Sequence, residues 1–244
     1  MFLKNFKNFS LLLISFLLLS ILTHFQITQK VDEYVLFFFQ KITPKDLDLS
    51  FSVLSFLGNF EIISMLLLLL LFFVEPHGFT AVAPLDTRFR RAKPRAESHS
   101  FTGLHQWLSG AWANWSTKIK AFSIYLFAHI IEIIGKTIIK KPPPPFNLVR
   151  TIPLFPKMIE PPGLKFSFPS GHSLRTVFLC SFILYLIKKS KRLSSWQKKI
   201  LSFIFVFFTI IMLYSRISLA EHWPSDVLGG AILGYLSYKM VFAN

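Results

Sequence analysis

The stretch SRISLAEHWPSD, Ser215 to Asp226, sets a histidine four residues ahead of an aspartate. With Pro224 suited to the first turn of a helix, Asp226 can reach back to the His222 imidazole, fix its tautomer and stabilise its charged form. An aspartate orienting a histidine is half of a catalytic triad. The plain alternative is a helix cap beside an interfacial Trp223. A second stretch, FSFPSGHSLRT, puts Ser170, Gly171 and His172 at a turn just before an apolar run. Ser170 or Ser173 can cap the helix that follows. Its free N–H groups and positive dipole end then face outward, which makes an anion site holding a histidine. Here the alternative is an ordinary Pro-Ser-Gly turn with a surface histidine.

Two further cations fall beside these motifs. Arg216 closes the apolar stretch ahead of His222, and Lys136 closes another in GKTIIKKPPPPFNLVR. Pro142 to Pro145 lack the backbone donor a helix needs, so they end the helix that carries Lys136. Long basic side chains often only snorkel at helix ends. Two orienting motifs and a lysine delivered to one rim instead read as a phosphate site.

The elements that must position these residues are membrane helices. Hydrophobic residues make up 52% of the 244 positions and charged residues 16%, against about 25% charged in a soluble domain. Spans of about 20 apolar residues cross the hydrocarbon. Six stretches qualify, at residues 10–27, 51–74, 121–139, 173–187, 200–219 and 227–242. The first, behind Lys4 and Lys7, opens like a secretory signal, but no small-residue cleavage site follows, and an uncleaved anchor is expected. Three crossings bring Lys136 to the side of His172, Arg216 and His222. Cys180 is alone, so the chain has no internal disulfide and its cysteine count does not report the redox compartment.

Sixteen of the 27 Lys and Arg fall on the opposite side, which places both termini in the cytoplasm and the site on the extracytoplasmic face. The net charge of +15 suits anionic headgroups, since the basic residues flank spans instead of alternating with aromatics; no nucleic-acid partner is expected. Glu75 to Ser116 differs from its surroundings, with half the arginines and three of the five tryptophans. It reads as a poorly ordered insertion or as a segment that binds a partner or the membrane surface. The chain divides into two N-terminal spans (1–74), an atypical cytoplasmic loop (75–119) and a four-helix core carrying the motifs (120–244).

The order Lys…Pro-Ser-Gly-His…Ser-Arg-x5-His-x3-Asp, from Lys136 to Asp226, resembles the type 2 phosphatidic acid phosphatase superfamily. Those proteins are integral membrane lipid phosphatases that share a site with vanadium haloperoxidases. The resemblance runs from about Lys136 to Gly230 and implies an all-α bundle of about six transmembrane helices. It implies His222 as a nucleophile forming a phosphohistidine, Asp226 as its orienting partner and His172 as the acid that protonates the leaving oxygen. Arg216, Lys136, Ser170 and the Gly171 amide would hold the phosphoryl oxygens. The substrate would be a membrane lipid phosphate or diphosphate, undecaprenyl diphosphate or phosphatidate in type, acted on at a bacterial plasma membrane. No cofactor is implied. Nor is a metal, and no Asp, Glu or Cys cluster has hard-cation or zinc spacing.

The chain departs from the family in the proline run. The usual Lys-x6-Arg-Pro, counted from Lys136, would put an arginine where Pro143 stands. Arg150 and Lys141 are the candidates to replace it; otherwise they contact headgroups. Two alternatives of other classes stay open. One is a catalytically weakened lipid-phosphate-binding or scaffold protein of the same fold. The other is a proton-coupled carrier using His129 and Glu132, a pair that reads more simply as a buried contact with Glu132 pinning Lys136. Oligomeric state is left open.

Overall fold

The computed structural model describes residues 2–73, 102–152, 166–190 and 193–242, with side chains from residue 9 to 72, 117 to 152, 166 to 190 and 193 to 242. Among the described residues every regular element is helical: α1 (Phe2–His24), α2 (Gln29–Ile42), α3 (Asp48–Leu57), α4 (Phe60–Phe73), α5 (Thr102–Ile139), α6 (Gly171–Lys189), α7 (Ser195–Ser218) and α8 (Pro224–Val241). The chain folds as an all-α membrane bundle. Thr117–Ile139 of α5 and the whole of α7 are long and apolar enough to cross a membrane singly, and the number rises to four if α1 with α2 and α3 with α4 each count as one span.

The first expected span, 10–27, ends in a turn that leads to a helix not expected there, and the second, 51–74, is broken within. The chain turns through 97° after α1, where Gln26 takes a left-handed conformation (φ 56), so α2 runs nearly perpendicular to α1. The second stretch bends by 54° between α3 and α4, at Gly58 and Asn59. Gly58 suits a helix end, and a side chain there would meet the His172 imidazole and Met212. Helix α5 begins at Thr102, inside the stretch read as a loop; residues 75–101 of that stretch lie outside the described residues.

Helices α6 and α8 form the most extensive pairing. Gly230 and Gly234, four apart on one face of α8, let its backbone lie directly on the Ser170 and Leu174 carbonyls of α6. Small residues at this spacing are how membrane helices approach closely, because lipid provides no hydrophobic drive for association. A separate apolar cluster joins α4, α5 and α6 through Ile63, Leu67, Tyr125 and Phe178. Another joins α2, α7 and α8 through Leu36, Ile217, Trp223 and Val227. Large apolar side chains such as Leu17, Phe72, Phe203 and Ile210 remain exposed, as expected of a surface that faces lipid.

Candidate active site

The turn from α7 to α8 builds half of the site. Ala220 takes a left-handed conformation (φ 52), and the amides of Glu221 and His222 both fold back onto the Arg216 carbonyl at 3.2 Å. Arg216 and His222 are thereby held together at one helix end. Asp226, in the first turn of α8, is wholly buried; its Oδ2 accepts the Trp223 amide at 3.0 Å and stands 3.7 Å from His222 Nδ1. That separation is too long for a hydrogen bond, so Asp226 acts on the ring by charge. Contacts of this kind tighten when substrate binds. With Nδ1 turned to the carboxylate, Nε2 is the ring nitrogen that faces away from it. Burial pushes the imidazole below the ordinary histidine range; Asp226 pulls it back in part, and Arg216 adds to the depression.

The N-terminus of α6 builds the other half. Ser170 caps the helix, its side chain accepting the Ser173 amide. Its own amide donates to the Asp226 carbonyl at 3.0 Å, so one backbone bond ties the two motifs together. His172 Nε2 pairs with Asn59 Oδ1 at 3.0 Å, and Nδ1 faces Arg175 Nη2 at 3.5 Å. Lys136, Arg175, Arg216 and His222 all lie within electrostatic reach of His172.

Glu132 holds several of these charges in place. Its Oε1 is 2.9 Å from Lys136 Nζ, and its Oε2 is 3.0 Å from His129 Nδ1 and 3.8 Å from Arg175 Nη1. The carboxylate lies so close to Gly171 that any Cβ there would collide with it. His129 and Glu132 therefore form a buried contact that also pins Lys136. Arg216, nearly inaccessible, pairs with Glu221 and with Ser55 of α3.

The two expected replacements for the missing arginine are committed elsewhere. Arg150 forms an ion pair with Asp48 at 2.6 Å and donates to the Gln40 and Thr43 carbonyls, so it anchors the end of α2 instead of swinging over the histidines. Lys141 is 97% buried, and its Nζ contacts Asp32, Ser225 and the far oxygen of Asp226. Neither side chain is placed as a phosphate ligand. The site also holds residues the sequence reading did not assign to it: Asn59, Arg175, Ser55, Glu221 and Asp32. Arg175 had a signal, an arginine three residues after His172 in an apolar run; Asn59 follows the Gly58 that interrupts the second stretch.

The fold and the site together define an integral membrane helical protein in which two histidines share a cluster of fixed cations. Residues 117–243 match the family model of the PAP2 superfamily, and the chain belongs to that superfamily. Phosphatidylglycerophosphatase B of Bacillus subtilis (strain 168) is 37% identical over 76 residues, 31% of this chain and 37% of that protein. The bacitracin transport permease protein BcrC of Bacillus licheniformis is 32% identical over 133 residues, 54% of this chain and 59% of that protein. The chain thus spans less than two thirds of the length of these relatives. A crystal structure described as the first transmembrane PAP2-type phosphatidylglycerolphosphate phosphatase from Bacillus subtilis superposes with a TM-score of 0.64 at 22% identity, covering 96% of this chain and 93% of that one. At that identity the likeness concerns the fold.

Proposed function

We propose that the protein is a membrane lipid phosphatase that hydrolyses a lipid phosphomonoester or diphosphate through a phosphohistidine at His222. The observation that carries the reading is the bond of the Ser170 amide to the Asp226 carbonyl, which joins the His172 and His222 motifs among the charges of Lys136, Arg175 and Arg216. Lys136, Arg216, the Ser170 hydroxyl and the Gly171 amide hold the phosphoryl oxygens, and Arg175 supplies a second guanidinium where Pro143 provides none. Fixed positive charge of this kind stabilises the charge that spreads over the equatorial oxygens in transfer.

In the first step Nε2 of His222 attacks phosphorus, the bond from phosphorus to the leaving oxygen breaks, and His172 gives that oxygen a proton. Asp226 stabilises the charged imidazole that results. In the second step His172 takes a proton from water, the oxygen attacks phosphorus, the P–N bond breaks and inorganic phosphate leaves. Both histidines end as they began.

The test is phosphate release by purified protein from a panel of lipid phosphates and diphosphates with a chelator present. Release that is lost in His222→Ala, together with an acid-labile phosphoenzyme that vanishes in the same variant, is the expected result. Undiminished release by His222→Ala overturns the mechanism. One observation favours a second reading: Pro143 stands where the family pattern has arginine, and neither Lys141 nor Arg150 is placed to replace it. A protein that binds lipid phosphate but turns it over weakly would show saturable binding to phosphate-bearing vesicles without release.

A further inference from the structure

Behind Asp226, on the side away from His222, lies a buried ionic cluster that the mechanism above does not use. Lys141 Nζ is 2.7 Å from Asp32 Oδ2, 2.6 Å from Ser225 Oγ and 3.3 Å from Asp226 Oδ1. Asp32 comes from α2, and its Oδ1 accepts the Ser225 amide at 2.8 Å, so it also caps the start of α8. Lys141, Asp32 and Asp226 are 3%, 2% and 0% exposed. Charges so deeply buried are costly unless each is matched, and here one lysine is shared by two carboxylates.

The proline run explains how a lysine reaches this position. The Lys141 carbonyl accepts the Ser167 amide at 2.9 Å, and the Pro142 carbonyl accepts Trp223 Nε1 at 2.8 Å. The Trp223 ring lies 5.7 Å from Lys141 Nζ. The segment is thus stitched to the residues flanking both motifs, and its stiffness holds the ammonium behind the nucleophile's partner.

We propose that Asp32 and Lys141 are a positioning pair that sets, through Asp226, how strongly a proton is held on His222. This deepens the phosphatase reading and rests on its assignment of His222. Lys141 draws the negative charge of Asp226 away from the imidazole, and Asp32 offsets Lys141 and returns that charge. The other charged or titratable groups around His222 are Glu221 beside it, Arg216 of α7, Lys136 of α5 and His172 of α6, and all remain constant in the comparison below.

The test is a pH titration of the His222 ring by 15N-histidine NMR on the full-length protein in detergent, with its signal assigned by its loss in His222→Gln. The acid limb of kcat/KM is measured on the same samples. Removing a positive charge favours the protonated ring, so Lys141→Met raises the midpoint by about one pH unit. Removing the negative charge of Asp32 does the reverse, so Asp32→Asn lowers it by a similar amount. Lys141→Arg keeps the charge and stays near the unmodified protein. A pair that only holds the fold together would not move the midpoint in opposite directions. Asp32→Asn preserves shape and keeps one acceptor oxygen for the Ser225 amide, and it decides the matter even where Lys141→Met fails to fold: a midpoint that stays put or rises overturns the proposal. Opposed shifts in the NMR titration with no lipid turnover in the unmodified protein would uphold the pair and sink the phosphatase reading, so the two failures are distinct.

Discussion

His222 is flanked by a carboxylate on one side and an arginine on the other, and burial is the strongest of the influences on it. As the proposed nucleophile, His222 must offer a lone pair, so activity would be lost as pH falls through its pKa. Because that pKa is depressed, the acid limb of kcat/KM lies below the ordinary histidine value of about 6.5. A limb centred above neutrality in a pH profile would contradict the environment described here. Arg175 and Arg150 make a second, contrasting pair. Arg175 faces His172, whereas Arg150 is bound to Asp48 and the end of α2. Losing a charged donor to a phosphoryl group costs roughly 1.5 to 3 kcal/mol, so if Arg175 holds the phosphoryl group as proposed, Arg175→Ala lowers kcat/KM about tenfold or more. Arg150→Ala instead lowers the melting temperature with a smaller effect on turnover. Steady-state kinetics and thermal unfolding on both variants check this, and the reverse pattern would return Arg150 to the phosphate.

Helix pairing turns these residues into a site. The close contact of α8 with α6 brings the Ser170 amide onto the Asp226 carbonyl, so any widening of that interface separates the two histidine motifs. A methyl at Gly230 would collide with the Ser170 carbonyl. Overpacking of this kind costs about 1–3 kcal/mol. Gly230→Ala therefore lowers both the melting temperature and phosphate release, while Leu228→Ala, on the exposed face of the same helix, changes release little. Equal activity in the two variants would show that the close contact does not matter to the site. What was legible in the sequence follows the same division. His222 with Asp226, Ser170 with Ser173, and Glu132 with Lys136 sit within one helical turn, where spacing alone says which side chains meet. Asn59 meets His172 across 113 positions and Asp32 meets Ser225 across 193, and no local pattern reports such contacts. The turn that ends the first stretch and the break within the second escaped for a related reason. Hydropathy measures how apolar a run is, while one glycine, or a turn of four residues, decides whether it stays straight.

At the scale of the whole molecule, the site lies at one end of the bundle, and charge decides which side of the membrane that end occupies. Helix α7 runs from Ser195 to Ser218, a length of about 36 Å at 1.5 Å per residue, enough to span the hydrocarbon. Its last turn carries Arg216, and Gln40 bonds both the Ser218 and Leu148 carbonyls, so the proline segment with the exposed Phe146 belongs to the site end. Ser194, exposed ahead of α7, marks the other end, amid the basic residues Lys188, Lys189, Lys198 and Lys199. Basic loops are retained in the cytoplasm, so the expected place of the histidines is the outer face, where the proposed lipid phosphate on the outer leaflet would reach them. In a Cys180→Ser background, which removes the buried native thiol, a thiol reagent that cannot cross membranes should label Phe146→Cys in intact cells and leave Ser194→Cys unlabelled until the cells are opened. The opposite pattern would place the site inside and restrict its substrates to the cytoplasmic leaflet. The basic excess comes in part from Arg88, Arg90, Arg91, Lys93 and Arg95. Replacing those five with glutamine therefore tests its cause: if they set the orientation, the labelling of Phe146→Cys becomes mixed, and if the lysines flanking α7 suffice, it is unchanged.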